Sequence, residues 1–500
     1  MRRGRAGLFA GLFAHRRGGA AAGVGGGLSG ALVAFPQHRG RSGGSVRSVS
    51  STMGFFLYIL YVAMTFLRPV EMFAPDLADL RPMLVLWFVA LGFAVFDAFR
   101  SGRVASRPVN FVLLAALMVV IGLSQVANGW PGGALLATYH FSTAAMLFVL
   151  TVLNLTTTRR VQIACVTLVV CMTVVCLTSI ASYHTGFMMD QLVLRQGTGD
   201  DPVDLLSVQE LPIPAQDTSG VFLWRVRHLG FLADPNDLAQ AIVMVLPMLW
   251  GAYRRRRFMR NLVVVLAPTA VMLYTILLTH SRGALVGIAA LFFFGVRRML
   301  GTFRTVMLVG AIGVAASALS FGGDRGFSTQ EQSANERVEA WYEALQMMRS
   351  SPLFGVGYGN FTNHHYLTAH NSFALCFAEL GLPGYFLWLA MLVLAYEGLR
   401  QVADLAPAGS RERKLAAILL SSLIGYMACA WFLSRTYSPN LFLLLAICAS
   451  AAYCGRRAHA TIEGGGPWPA QPRWALRTLV LLFGSVSAIY GIVVLERMTQ

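Results

Sequence analysis

Apolar residues in this chain gather into long runs, broken by short polar and basic intervals, and the spacing predicts membrane-spanning helices. The runs fall at about 54–70, 83–99, 109–127, 133–153, 161–183, 238–253, 261–279, 283–296, 305–322, 373–397, 414–433, 440–454 and 475–494. An all-α, polytopic transmembrane bundle of 12 or 13 spans follows. No repeat period is visible. Two polar intervals are long, 184–237 and 323–372, and they divide the chain into N-terminal spans (53–183), central spans (238–322) and C-terminal spans (373–500).

The second long interval has the clearest local pattern. Ser333 and Glu336 have capping-box spacing and predict a helix start. Val338, Trp341, Tyr342, Leu345 and Met348 then form one apolar face, with Arg337 a turn before Trp341. Pro352 disfavours helical geometry at Ser351, so the helix ends there. A glycine-rich turn, Gly355 to Asn360, leads to a loop bearing His364, His365 and His370, and Phe373 opens the next span.

Composition supports the same class. Mean hydropathy is +0.60, 56% of residues are hydrophobic and 13% are charged, which excludes an ordinary soluble domain of 500 residues. The net charge of +17 invites a nucleic-acid reading, but its arginines lie in short clusters between apolar runs. Arg100–Arg107, Arg159–Arg160, Arg254–Arg260, Arg297–Arg304, Arg411–Lys414 and Arg456–Arg457 all fall on one side by span count. By the positive-inside rule that side is cytoplasmic and suits anionic lipid; no nucleic-acid partner is expected. The 184–237 and 323–372 loops then face the periplasm of a bacterial inner membrane, in keeping with the acidic middle of the first. All seven cysteines fall within spans, so no structural disulfide is expected. Residues 1–52 are basic and rich in Gly and Ala, read as a disordered tail; Met53 opens a span at once, and a chain starting there is expected to insert and work.

Arg282 stands in Thr279-His280-Ser281-Arg282-Gly283, between two spans on the outer side. An arginine there is either an interfacial anchor or a phosphate ligand, since a guanidinium matches phosphate geometry bidentately. Arg337 is either a solvated helix charge beside Glu336 and Glu339 or a second such ligand. His370, just before a span, is either solvated or a general base, because imidazole titrates near neutrality. Three weaker patterns compete. Val356-Gly357-Tyr358-Gly359 matches a potassium-filter core, but a charged helix and Pro352 precede it. His364, His365 and His370 lack regular metal spacing, so no metal is assigned. Asp234-Pro235 reads most simply as an N-cap and first-turn proline.

Together, Ser281-Arg282-Gly283, Arg337 with Trp341, Pro352 to Gly357, His370-Asn371-Ser372, Glu379-Leu380-Gly381 and Asp234 to Ala239 resemble the O-antigen ligase and O-antigen polymerase superfamily, over roughly 229–399. The resemblance implies transfer of a glycan from undecaprenyl diphosphate to a hydroxyl acceptor: lipid A core, a growing polysaccharide or a protein. It further implies Arg282 and Arg337 as diphosphate ligands, His370 as the base, and Ser281, Trp341 and Asn371 in support. The diphosphate is already an activated leaving group, so no nucleotide, metal or other cofactor is called for, and direct displacement would invert the anomeric centre. A polymerase of the same superfamily would use the same donor clamp. A transporter would also fit the composition, but transporters place charges at midplane on broken helices. A non-catalytic scaffold leaves the histidine-bearing loop without a purpose.

Overall fold

The structure, a computed structural model, describes residues 46–100, 108–197, 212–219, 221–301, 303–304, 307, 327–459, 461–470 and 473–499. The described chain from Val46 is one compact unit. Its main elements are α1 (Val46–Leu67), α2 (Pro82–Arg100), α3 (Pro108–Ala127), α4 (Pro131–Asn154), α5 (Thr158–Thr185), β1 (Val193–Gly197), β2 (Phe222–Val226), α6 (Pro235–Trp250), α7 (Phe258–Thr279), α8 (Arg282–Leu300), α9 (Phe327–Ser350), α10 (Ser372–Leu405), α11 (Arg411–Ala430), α12 (Pro439–Ala458) and α13 (Trp474–Thr499).

Nine of the described helices are long and apolar enough to cross a membrane, and each coincides with an expected run. The expected runs at 54–70 and 283–296 match shorter apolar helices within α1 and α8, and the run at 238–253 overlaps α6. The run at 305–322 lies outside the described residues apart from Met307, as does the tail up to residue 45. The protein is a multi-pass membrane helix bundle. α6, α10 and α12 form its interior, buried along most of their length, while α2 and α13 expose broad apolar faces. All seven cysteines are buried free thiols.

The helix ends sort into two groups. Leu155, Glu412, His459 and Glu463 meet at one end: the Cys454 thiol lies 3.8 Å from the Leu155 carbonyl, His459 pairs with Glu412 at 3.3 Å, and Arg413 pairs with Glu463 at 2.5 Å. The basic clusters at 159–160, 411–414 and 456–457 flank these contacts. The turns at 279–283, 351–372 and 431–438 meet at the other end.

Two local expectations differ from the structure. α9 begins at Phe327, so Ser333 lies inside the helix and does not start it. Gln330, Glu331, Gln332 and Ala334 are good helix formers and carry the helix through the capping-box pattern. α1 likewise begins at Val46, inside the stretch read as a tail, since extending a helix costs far less than nucleating one. The all-α reading also missed the antiparallel pair β1–β2, registered Val193↔Val226 to Gly197↔Phe222.

α10 is broken at Gly381, whose φ of 63° and ψ of −169° are not helical. The break can be followed bond by bond. Pro383 has no N–H for the Glu379 carbonyl. The Leu382 N–H, which would serve Ala378, donates instead to the Pro352 carbonyl at 2.8 Å. The glycine-rich turn supplies the missing donors: the Val356 N–H donates to Ala378 O at 2.9 Å and the Gly357 N–H to Glu379 O at 3.1 Å. Only glycine permits this approach, because a Cβ on Gly355 would lie 2.4 Å from the Ala378 carbonyl oxygen. The C-terminal end of α3 holds the other face of the turn. Asn128 donates to Gly355 O at 2.9 Å, Gln125 to Tyr358 O at 2.6 Å, and the Tyr358 N–H donates to Ser124 Oγ at 3.1 Å. With these carbonyls occupied, the filter-like Val356 to Gly359 run is a structural plug in the α10 break rather than an ion path.

Candidate functional site

α7 ends at Thr279, and His280 reverses the chain with a left-handed φ of 51°. The Ser281 N–H donates to Thr279 Oγ1 at 3.3 Å, and α8 starts at Arg282. Gly283 faces the neighbouring turn, where a Cβ would sit 3.7 Å from Phe432 and Leu433. That turn is fastened to the start of α10 by one buried serine. The Ser372 hydroxyl donates to Leu433 O at 2.5 Å and accepts from the Arg435 N–H at 2.9 Å, while Thr436 Oγ1 donates to Ser372 O at 2.7 Å. Asn371 caps α10, its side-chain oxygen accepting from Phe373 N at 2.8 Å and Ala374 N at 3.1 Å. His370, one residue earlier, has a left-handed φ of 48° and is half-buried.

α9 brings Arg337 to this end. Trp341 is buried, its indole N–H donating to Ala369 O at 2.9 Å and its ring meeting Trp431 edge-on at 6.2 Å. The expected Trp341 thus faces the His370 loop. Two reciprocal cation–π pairs attach α9 to α13: Arg497 over Tyr342 at 3.4 Å and Arg349 over Tyr490 at 5.7 Å. Contacts of this kind contribute about 0.5–1 kcal/mol each where exposed.

The electrostatics show which side chains share a neighbourhood. Burial, and then the charge of nearby Arg282, push the Arg337 guanidinium below its ordinary range. Among the described residues neither has a carboxylate within ion-pair distance. Desolvation first, and then Arg337, hold the His370 imidazole below 6.5; Arg435 acts in the same direction, while Glu336 and Asp234 oppose it. His370 therefore stands neutral at neutral pH and able to accept a proton.

Sequence reasoning missed Arg435, Arg225 and Asp237. Arg435 pairs with Asp234 at 3.2 Å and with Asp237. Asp234 is also the expected cap of α6, accepting from Asn236 N at 2.7 Å, with Pro235 in the first turn. Arg225, placed by β2, donates to Thr279 O at 2.9 Å and to Asn236 Oδ1 at 3.2 Å, joining the ends of α6 and α7. The signal for Arg435 and Arg225 was their side: by span count they lie opposite the basic clusters, as Arg282 does.

The other sequence candidates divide. Ser281 is buried, and among the described residues its hydroxyl has no hydrogen-bond partner. His364 is exposed, and His365 turns back to its own loop, Nδ1 lying 3.0 Å from Leu367 O. Among the described residues, no group of three or more His, Cys, Asp or Glu side chains is arranged to hold a metal ion.

Fold and site define a multi-pass membrane protein that holds, at one end of its bundle, two guanidiniums without a carboxylate partner among the described residues, near a neutral imidazole. Residues 267–389 match the family model described as O-antigen ligase, and the chain carries a domain of that family. The matched stretch contains Arg282, Arg337, His370, the glycine-rich turn and the α10 break; Arg225, Asp234 and Arg435 lie outside it. The chain matches none of the curated proteins it was compared with.

Proposed function

We propose that the protein is a glycan transferase that moves a glycan from undecaprenyl diphosphate to a hydroxyl acceptor, on the periplasmic side of the bacterial inner membrane. The observation that carries this reading is the pairing of Arg282 with Arg337. A guanidinium depressed by the charge of a second one near it, with no carboxylate paired to either among the described residues, suits a ligand bearing adjacent negative charges. A carrier whose chain stays in the bilayer presents its diphosphate at the bundle end, where this pair lies.

The mechanism follows from the side chains. The arginines bind the diphosphate and stabilise the charge that grows on it as the glycosidic bond to phosphate breaks. His370 takes the proton from the acceptor hydroxyl as that oxygen attacks the anomeric carbon. Trp341, through Ala369, and Asn371, through its cap, hold His370 in place. Ser281 offers a hydroxyl beside Arg282. Desolvation of His370 keeps it a base at neutral pH, at the cost of a weaker one. A transporter reading is less well supported, because Arg282 opens α8 and Arg337 lies on α9, which is not one of the long apolar helices, so neither sits along a span interior.

The test is incubation of purified protein with a lipid-diphosphate glycan and, in turn, lipid A core, a polysaccharide and a protein acceptor. Transfer to one class, with release of the carrier diphosphate, is expected; the absence of transfer to every class overturns the reading.

A further inference from the structure

Beside Arg435 lies an open cavity of about 650 Å³, walled by Phe231, Asp234, Asp237, Ser434, Arg435 and Tyr437. Its volume falls in the range of roughly 300–1,000 Å³ that serves small organic ligands. The cavity differs in charge from the arginine pair. Arg435 is engaged by two carboxylates. Arg227, also on the wall, donates to Gln191 O at 3.0 Å and Asp190 O at 3.2 Å. An anion entering here would meet two acidic groups and no unengaged guanidinium. A ligand bearing hydroxyls would meet carboxylate acceptors, guanidinium donors and the aromatic side chains of Phe231 and Tyr437. Among the described residues the buried Ser434 hydroxyl has no partner, leaving a donor and an acceptor for such a ligand.

The cavity is also coupled to His370. Arg435 and Asp234 act on the imidazole from the cavity wall, as Arg337 does from the clamp, and the Arg435 N–H is bonded to Ser372, two residues from His370.

We infer that this cavity is a subsite for a neutral sugar of the acceptor, which brings the acceptor's hydroxyl to His370. The inference rests on the glycan-transfer reading for its place in the reaction. Binding itself can be measured without any transfer.

The experiment uses the full chain in lipid nanodiscs, with a panel of methyl hexopyranosides as probes in saturation-transfer NMR and a lipid-diphosphate glycan in a separate titration. Ser434→Phe and Leu194→Trp fill the cavity from two different elements, and its wall includes neither Arg282 nor Arg337. At least one hexopyranoside should bind the unaltered protein, and each filling variant should weaken that binding about tenfold or more while donor affinity holds. Sugar binding should survive Arg337→Ala. Donor affinity falling with sugar binding unchanged would overturn the inference by assigning the cavity to the donor's glycan. It would also be overturned by sugar binding that ignores both fillings, or by a serine- or threonine-bearing peptide binding there in place of every sugar. Sugar binding that persists and is blocked by filling, in a protein that transfers nothing from the diphosphate, would leave the subsite standing and remove the donor chemistry alone.

Discussion

The indole N–H of Trp341 donates to the carbonyl oxygen of Ala369 at 2.9 Å, tying the helix that carries Arg337 to the residue before His370. Both partners are buried. The bond fixes the helix bearing Arg337 relative to the loop bearing His370. Trp341→Phe keeps a ring and removes the donor, leaving Ala369 O buried and unpaired at a cost of roughly 1–3 kcal/mol. Transfer should slow on the order of ten- to a hundredfold through misplacement of His370, with donor affinity changed much less. Steady-state transfer and donor titration on the same preparation check this. An unchanged rate would mean that the bond only stabilises the loop.

The break in α10 predicts a contrast between two glycines with left-handed backbones. A Cβ on Gly355, at φ 62°, would lie 2.4 Å from a backbone oxygen, whereas Gly359, at φ 77°, has nothing within 4 Å. Gly359→Ala should cost only the backbone strain, about 1 kcal/mol, measured as a small fall in thermal midpoint in detergent. Gly355→Ala should cost more than about 3 kcal/mol, because the two backbones must part and the bonds to Ala378 and Glu379 are lost with them. Equal midpoints for the two variants would show that the turn does not seal the break.

The pH dependence has a definite sign. His370 is held below 6.5 by desolvation and by Arg337, so the neutral base persists through neutrality and is lost only as pH falls through that lowered value. The acid limb of the transfer rate should therefore lie below 6.5. The fold gains stability from the same shift above the unfolded value and loses it as pH falls, since the unfolded imidazole binds the proton more readily. Arg337→Gln removes the second cause and should raise the imidazole value, read directly by NMR titration of labelled histidine. A downward movement would reverse the assigned electrostatics.

Much of this was legible in the chain because hydropathy runs and span parity are local or additive signals. Arg282 stood out as an arginine on the side opposite the basic clusters, and Asp234-Pro235 carried its cap in two adjacent residues. Arg435 obeyed the same parity rule as Arg282. Its partners, Asp234 and Asp237, come from a helix about 200 residues away, and no spacing announces such a pair. The β1–β2 pair was hidden for a similar reason: the five-residue strands have no tight turn between them to mark a hairpin. Pro352 to Gly357 and Glu379-Leu380-Gly381 were visible as two motifs. Only the count of backbone donors and acceptors across the α10 break shows them to be one device.

In the proposed reaction a guanidinium clamp holds the donor and an imidazole base activates the acceptor. The most direct measurement loads each variant with lipid-diphosphate glycan, records donor affinity, and then follows a single turnover on addition of acceptor. His370→Ala should bind donor almost as the unaltered protein does and transfer it about 10²–10⁴-fold more slowly. Arg282→Lys should lose donor affinity, and about a hundredfold in transfer, because a point-charge ammonium does not replace a bidentate fork. A His370→Ala protein that transfers at the full rate would contradict the account.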